Sequence, residues 1–86
     1  MSYEAEFDKI LKYNLTLRHM TIKELYNRAN TGGVSYDTYR GRLKDPKTLT
    51  IFEINKLCHV LRIPDDERLI LKGEKRYEEE ERILNG

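Results

Sequence analysis

The sequence predicts an all-α domain of four or five short helices, and three observations support this fold class. Apolar residues recur at the three- and four-residue spacing of amphipathic helices along most of the chain. Two of these stretches open with a threonine followed three residues later by a glutamate, a signature of helix N-termini. Glycine, asparagine and proline fall between the stretches, where the chain must turn. The 86 residues are enough for one domain with a modest core.

Composition is that of a soluble helical domain, with 38% apolar and 36% charged residues. No stretch approaches the roughly 18 apolar residues that span a bilayer, and no signal peptide opens the chain. We therefore expect a cytoplasmic protein. Cys58 is the single cysteine, so no internal disulfide is expected. His19, His59 and Cys58 lack the spacing of a zinc site, and no nucleophile has a convincing base, so we expect no metal, no cofactor and no enzyme.

Charge is unevenly distributed, although the net charge of the chain is only +1. Segment 18–47 carries seven basic and three acidic residues, a net charge of +4. Its basic residues are Arg18, Lys23, Arg28, Arg40, Arg42, Lys44 and Lys47. Segment 74–86 carries three basic and five acidic residues, a net charge of −2. A local basic excess suits contact with nucleic-acid phosphates. The alternative, which charge alone leaves open, is that these residues simply form the solvated faces of ordinary helices.

Two helices are predicted before residue 30. Apolar residues at helical spacing predict the first from near Tyr3 to Leu17. The second begins at Thr21, which with Glu24 forms a predicted capping box: each side chain accepts a hydrogen bond from the other residue's amide. The residues predicted to face inward are Ile22, Leu25, Tyr26 and Ala29. Asn-Thr-Gly-Gly at 30–33 ends this helix.

A third helix is predicted over 36–44, with Ser35 as its N-cap. Its predicted inward residues are Val34, Tyr39 and Leu43. Gly41 lies inside it at a cost of about 1 kcal/mol relative to alanine, which suits either a close approach to a backbone or a frayed helix end. Pro46 ends the helix because proline disfavours the helical conformation in the preceding residue.

The fourth helix is predicted to be the most buried element. Thr50 and Glu53 form a second predicted capping box at its start. Its apolar residues along one face are Ile51, Ile54, Leu57, Cys58 and Leu61. On such a face Cys58 is expected to be a plain core thiol. Pro64 is predicted to close the helix.

The C-terminal part of the chain gives weaker signals. Acidic residues at 65–67 favour the N-terminus of a fifth helix, which is predicted to reach Lys72. Four consecutive glutamates follow at 78–81, where a helix and a solvated tail are both open. The predicted organisation is a helix-turn-helix domain over 1–72 and a charged tail or helix extension over 73–86. Apolar residues that can share one side of the last helix are candidates for a partner surface: Leu69, Ile70, Tyr77, Ile83 and Leu84.

The order of caps, turns and apolar positions over residues 7–64 resembles the lambda-repressor/Cro-like (XRE-type) helix-turn-helix DNA-binding family. In that family a capped second helix supports a recognition helix that opens with valine and serine, here Val34 and Ser35. A capped fourth helix follows, with a small residue in its core stripe, here Cys58, and a leucine near its end, here Leu61. The resemblance covers about two-thirds of the chain. It implies a compact four- to five-helix lambda-repressor-like DNA-binding domain.

The chain also departs from the family pattern. It carries Ile22 where glutamine is frequent, Tyr26 where alanine is usual and Asn30 where glycine is usual. The turn after the second helix is about three residues longer than in the family. Placing Tyr36 inward instead of Tyr39 would remove this insertion. The spacing from Tyr39 to Thr50 matches the family, so we predict that Tyr39 faces inward.

The resemblance implies that helix 35–44 reads the major groove. The predicted DNA-binding residues are Lys23, Ser35, Tyr36, Asp37, Thr38, Arg40, Arg42, Lys44 and Lys47. Arg40 suits two hydrogen bonds to guanine, and Thr38 suits a thymine methyl group or a phosphate. Asp37 suits accepting a hydrogen bond from cytosine. The alternative is that phosphates repel its carboxylate, and that Asp37 only stabilises the N-terminus of the helix. Arg42 and the three lysines suit phosphate contacts, and for each residue an ordinary exposed side chain is the alternative.

From these features we expect a sequence-specific DNA-binding transcriptional regulator of phage Cro-like or repressor type. It would bind a pseudo-palindromic operator in double-stranded DNA as a homodimer. The alternative is a protein-interaction module of the same fold, antitoxin-like or anti-regulator, which would use Tyr36, Tyr39 and the C-terminal helix against a protein. A steep fall of binding with salt would favour DNA.

Overall fold

The computed structural model describes residues 2–30 and 33–75, and it forms five α-helices in these ranges. The helices are α1 (Tyr3–Leu17), α2 (Ile22–Ala29), α3 (Tyr36–Lys44), α4 (Ile51–Leu61) and α5 (Asp65–Lys72). Single 3-10 turns cover Pro46–Thr48 and Gly73–Lys75. The described ranges contain no β-strand, so the predicted all-α class is confirmed. None of their helices has the length and apolar character needed to cross a membrane.

One apolar core joins the five helices. α1 packs against α5, α2 packs against α4, and α3 packs against α2. Core residues with no exposed surface include Phe7, Leu25, Leu49, Ile54, Leu57, Cys58, Leu61 and Leu71. Burying apolar side chains at about 25 cal/mol per Å² is the main stabilising contribution in such a domain.

Helix α4 is the most buried element, as predicted. All five residues of its predicted apolar face are buried, and Glu53 is buried with them. Both hydrogen bonds of the capping box are present: the Glu53 amide donates to Thr50 Oγ1, and the Thr50 amide donates to Glu53 Oε1, each at 3.1 Å. The helix ends three residues before Pro64, because Arg62 adopts a left-handed conformation with φ 53°. Pro64 instead forms the N-cap of α5.

Helix α2 begins where the sequence predicts, but its capping box is incomplete. The Glu24 amide donates to Thr21 Oγ1 at 3.1 Å. The Glu24 carboxylate does not accept from the Thr21 amide; it accepts from the Thr21 hydroxyl at 3.3 Å. Glu24 is exposed, whereas the buried Glu53 has Arg42 beside it to hold the carboxylate in place. The predicted reciprocal bond at Thr21 is therefore wrong.

Helix α3 confirms the predicted register. Ser35 caps it, and the Thr38 amide donates to Ser35 Oγ at 3.2 Å. Tyr39 is 1% exposed, whereas Tyr36 is only half-buried, so Tyr39 is the inward tyrosine. Gly33 precedes the helix with φ 67°, a left-handed conformation that glycine adopts without steric cost.

The end of the described chain is fixed against α1. The Tyr3 hydroxyl donates to the Leu71 carbonyl oxygen. Gly73 has φ 53°, and a Cβ atom at this position would lie 3.0 Å from the Tyr3 ring. Predictions for the glutamate run at 78–81 lie outside the described residues.

Candidate nucleic-acid interface

Tyr26 of α2 and Asn30, which caps the end of that helix, both bond to the chain just before α3. The Tyr26 hydroxyl donates to the Val34 carbonyl oxygen at 2.7 Å, and Asn30 Nδ2 donates to the same oxygen at 3.1 Å. These are two of the positions at which the chain departs from the family pattern, which has small residues there. Sequence reasoning missed their role. A tyrosine and an asparagine beside a lengthened turn were the available signal, because both can donate across it.

An aromatic and cationic cluster joins the outer surfaces of α2 and α3. The Tyr36 ring packs edge-on against Tyr26, with 5.4 Å between ring centroids. Lys23 Nζ lies 6.0 Å from the Tyr36 centroid, and Arg40 Cζ lies 5.6 Å from it. At these distances the ring attracts both cations. The structure therefore brings together Lys23 of α2 and Arg40 of α3, which are distant in sequence, on one tyrosine.

The outer side of α3 is polar and exposed. Its exposed residues are Asp37, Thr38, Arg40, Gly41 and Lys44, and we call this set the α3 face. Tyr39 and Leu43 anchor the opposite side of the helix in the core. No described atom from outside the helix lies within 4 Å of a Cβ placed on Gly41. Of the two interpretations of Gly41, a close approach to a backbone is thus not made among the described residues, and the α3 face is open to an external partner.

Ser35 and Thr38 form hydrogen bonds with each other at the start of α3. Besides accepting from the Thr38 amide, Ser35 Oγ donates to Thr38 Oγ1 at 2.9 Å. Both residues are exposed. Each hydroxyl keeps acceptor capacity, but its first role here is to fix the helix N-terminus.

Arg42 points away from the α3 face toward α4. Its Nη1 donates to Glu53 Oε2 at 3.1 Å and to Glu53 Oε1 at 3.3 Å. The Glu53 side chain is 9% exposed and that of Arg42 is 32% exposed. A pair this shielded keeps more of its attraction than an exposed pair does. The structure thus gives Arg42 a partner inside the fold.

Lys47 also has a partner within the protein. Its Nζ lies 3.1 Å from Glu4 Oε1, in a pair whose lysine side chain is 72% exposed. Hydrogen bonding to its own backbone amide, together with Lys47, lowers the pKa of Glu4. Because the pair is exposed, salt and competing anions screen it readily.

Three basic residues of segment 18–47 thus bind acceptors inside the fold. Arg18 is the third: its Nε donates to the Leu61 carbonyl oxygen at 3.0 Å, at the end of α4. The other four are exposed and make no ion pair with the described residues: Lys23, Arg28, Arg40 and Lys44. Two of these, Lys23 and Arg40, are the pair that flanks Tyr36.

Two buried groups lie behind this surface and are closed to an external partner. Burial, with a smaller contribution from Glu53, raises the pKa of Tyr39 to about 12, and its hydroxyl has no hydrogen-bond partner among the described residues. Burial likewise raises the pKa of Cys58 to about 11. The expectation that Tyr39 contacts a protein partner is therefore wrong, because the core encloses the side chain. Within the described ranges, no three His, Cys, Asp or Glu residues cluster as a metal site would require.

Comparisons with known proteins add no family assignment. The chain has no significant match among family models, curated proteins or solved structures.

Proposed function

We propose that this chain is a sequence-specific DNA-binding transcriptional regulator, in which α2 and α3 form a helix-turn-helix and α3 enters the major groove of double-stranded DNA. The observation that carries the proposal is the α3 face. It is polar and exposed, and the buried side chains of Tyr39 and Leu43 anchor the opposite side of α3 in the core. A helix presented in this way can place several side chains against base edges at once.

The distribution of cations supports the same partner. Lys23, Arg40 and Lys44 are exposed around the outer surfaces of α2 and α3. Tyr36 restrains two of them, Lys23 and Arg40, which lowers the entropy lost when they bind phosphate or guanine. We assign base readout to Arg40 and phosphate contact to Lys23 and Lys44. Arg42 is left out of this assignment because its guanidinium is bound to Glu53.

Selection from a random duplex library, followed by fluorescence anisotropy on the selected duplex, tests the proposal. Arg40→Ala should weaken binding by about 1–3 kcal/mol and relax the base preference at one position. Lys44→Ala should weaken binding to all duplexes and reduce the salt slope by about 1. Lys12→Ala is the matched control, because Lys12 is an exposed lysine on α1 that pairs with Asp8 at 3.0 Å.

Failure of this proposal has a distinct signature. If no duplex is enriched at low salt, the chain is not a sequence-specific DNA-binding protein. If Lys12→Ala reduces the salt slope as much as Lys44→Ala does, α3 makes no special contribution, and the chain binds nucleic acid through its cations in general.

The rival proposal is a protein-interaction module that uses the same surface. The half-buried Tyr36, flanked by Lys23 and Arg40, favours it, because tyrosine and arginine are enriched at the centres of protein interfaces. Binding that hardly changes between low and high salt would support a protein partner.

A further inference from the structure

Gly41 is an exposed glycine in the interior of α3. The helix continues beyond it to Lys44 and buries Leu43 on the way. The Asp45 amide donates to the Gly41 carbonyl oxygen at 3.1 Å and to the Arg42 carbonyl oxygen at 3.2 Å, so the last turn of the helix is closed. The helix is therefore not frayed at Gly41, which leaves a close approach to an external backbone as the remaining interpretation.

The described part of the fold does not require a glycine at this position. Gly41 has helical backbone angles, whereas the described glycines with positive φ are Gly33 and Gly73. Beyond its chain neighbours and the helix backbone, no described atom lies within 4 Å of a Cβ placed on Gly41. Alanine would fit there, and it favours a helix more than glycine does because glycine loses more backbone freedom on folding. The chain therefore gives up stability at Gly41 without a gain among the described residues.

Gly41 lies in the middle of the α3 face. Thr38 precedes it by three residues and Lys44 follows it by three, so both lie on the same side of the helix as Gly41. The Arg40 guanidinium lies 5.6 Å from the ring centroid of Tyr36, the first residue of the helix. Gly41 is thus a gap in the α3 face, at which a partner meets the helix backbone itself.

The cation beside this gap indicates the chemistry of the partner. Lys44 is exposed and makes no ion pair with the described residues. Side chains on a helix lean toward its N-terminus, so Lys44 leans over the turn that contains Gly41. An anionic group that rests on the helix at the gap is within reach of this lysine, whereas a side chain at Gly41 would hold the group away. The phosphates that border the grooves of DNA are such anionic groups.

We propose that Gly41 is a positioning residue at which the sugar–phosphate backbone of one DNA strand passes directly over α3, with a phosphate held beside Lys44. This role rests on the proposed function, because it requires α3 to lie in the major groove, and it deepens that function. The missing side chain lets the strand approach α3 more closely than it could approach a helix with a Cβ atom at this position.

Fluorescence anisotropy on the selected duplex at several salt concentrations tests this role. Gly41→Ala should raise the Kd about tenfold, because the added methyl group occupies the space of closest approach, and Gly41→Leu should raise it further. Neither change removes a charge, so the salt slope should stay as it is in the unsubstituted protein, whereas Lys44→Ala reduces it. The selected base sequence should also stay the same, because contacts to the DNA backbone carry no base information.

Urea denaturation of the same variants separates this role from a structural one. Gly41→Ala should raise the denaturation midpoint, because alanine favours the helix. Thr16→Ala is the matched control: it also replaces a weak helix former by alanine, at an exposed position of α1 outside the α3 face. This control should bind the duplex with the affinity of the unsubstituted protein.

The outcomes distinguish the two proposals. If Gly41→Ala binds as tightly as the unsubstituted protein while Arg40→Ala relaxes the base preference, the proposed function stands and the role of Gly41 is overturned. A change in the selected base sequence with Gly41→Ala would place the glycine at a base edge and overturn the backbone contact. A lower denaturation midpoint for Gly41→Ala, or an equal loss of affinity with Thr16→Ala, would also overturn it. If the unsubstituted protein enriches no duplex, both proposals fail.

Discussion

Helices α3 and α4 are neighbours of similar length that use their side chains in opposite ways. α4 buries six of its eleven residues and closes its start with a complete capping box. α3 buries only Tyr39 and Leu43 of its nine residues and leaves most of its surface in water. Substitutions on α4 should therefore change stability, whereas substitutions on the α3 face should change binding and leave stability almost unaltered. Arg42 of α3 and Glu53 of α4 form a polar contact between the two helices.

The largest expected effect is that of a cavity in α4. Ile54 has no exposed surface, so Ile54→Ala removes buried methyl and methylene groups and leaves a void. We expect a loss of about 2–5 kcal/mol in the free energy of unfolding, measured by urea denaturation.

The control for this experiment is a truncation on the α3 face. Lys44 is exposed and makes no ion pair with the described residues, so Lys44→Ala should alter stability by no more than about 0.5 kcal/mol. If the two variants lose similar stability, α3 is part of the stabilising framework, and the contrast between the helices fails.

An intermediate effect is expected where the two helices meet. Glu53→Gln keeps the shape of the side chain but removes the charge that holds Arg42 and weakens the bond from the Thr50 amide. Leaving a partly buried guanidinium without its anion should lower the free energy of unfolding by about 1–3 kcal/mol. Thermal or urea unfolding measures this change.

Glu24→Gln provides the matched control. Glu24 occupies the same position in the capping motif of α2, but it is exposed and does not accept from the Thr21 amide. The change should stay within about 0.5 kcal/mol. Equal losses at the two glutamates would mean that burial and the Arg42 contact add nothing to the cap.

The comparison of the two glutamates also shows what the sequence can and cannot predict. Threonine with glutamate three residues later locates both helix starts correctly, because the amide-to-threonine bond depends only on local geometry. The reciprocal bond depends on what surrounds the glutamate. Arg42 lies beside Glu53, and no spacing in the sequence indicates this.

The same limit applies to the candidate site. Helical spacing predicts which residues of α3 face inward, so the exposure of Arg40 and Lys44 follows from the sequence. It does not predict which long cations find acceptors inside the fold, as Arg18 does at the end of α4 and Lys47 does at Glu4. Local charge counts therefore overstate the number of cations that remain for a partner.

The smallest expected effect concerns the side of α3 that faces the core. The Tyr39 hydroxyl is buried and loses its bonds with water on folding, and it gains no hydrogen-bond partner among the described residues. Tyr39→Phe removes this group and keeps the ring, and we expect stability to be unchanged or to rise by up to about 1 kcal/mol. Tyr26→Phe is the control, because its hydroxyl donates to Val34; that variant should lose about 0.5–1.5 kcal/mol. A larger loss for Tyr39→Phe than for Tyr26→Phe would show that the buried hydroxyl is bonded, and that the inner side of α3 contributes polar interactions as α4 does.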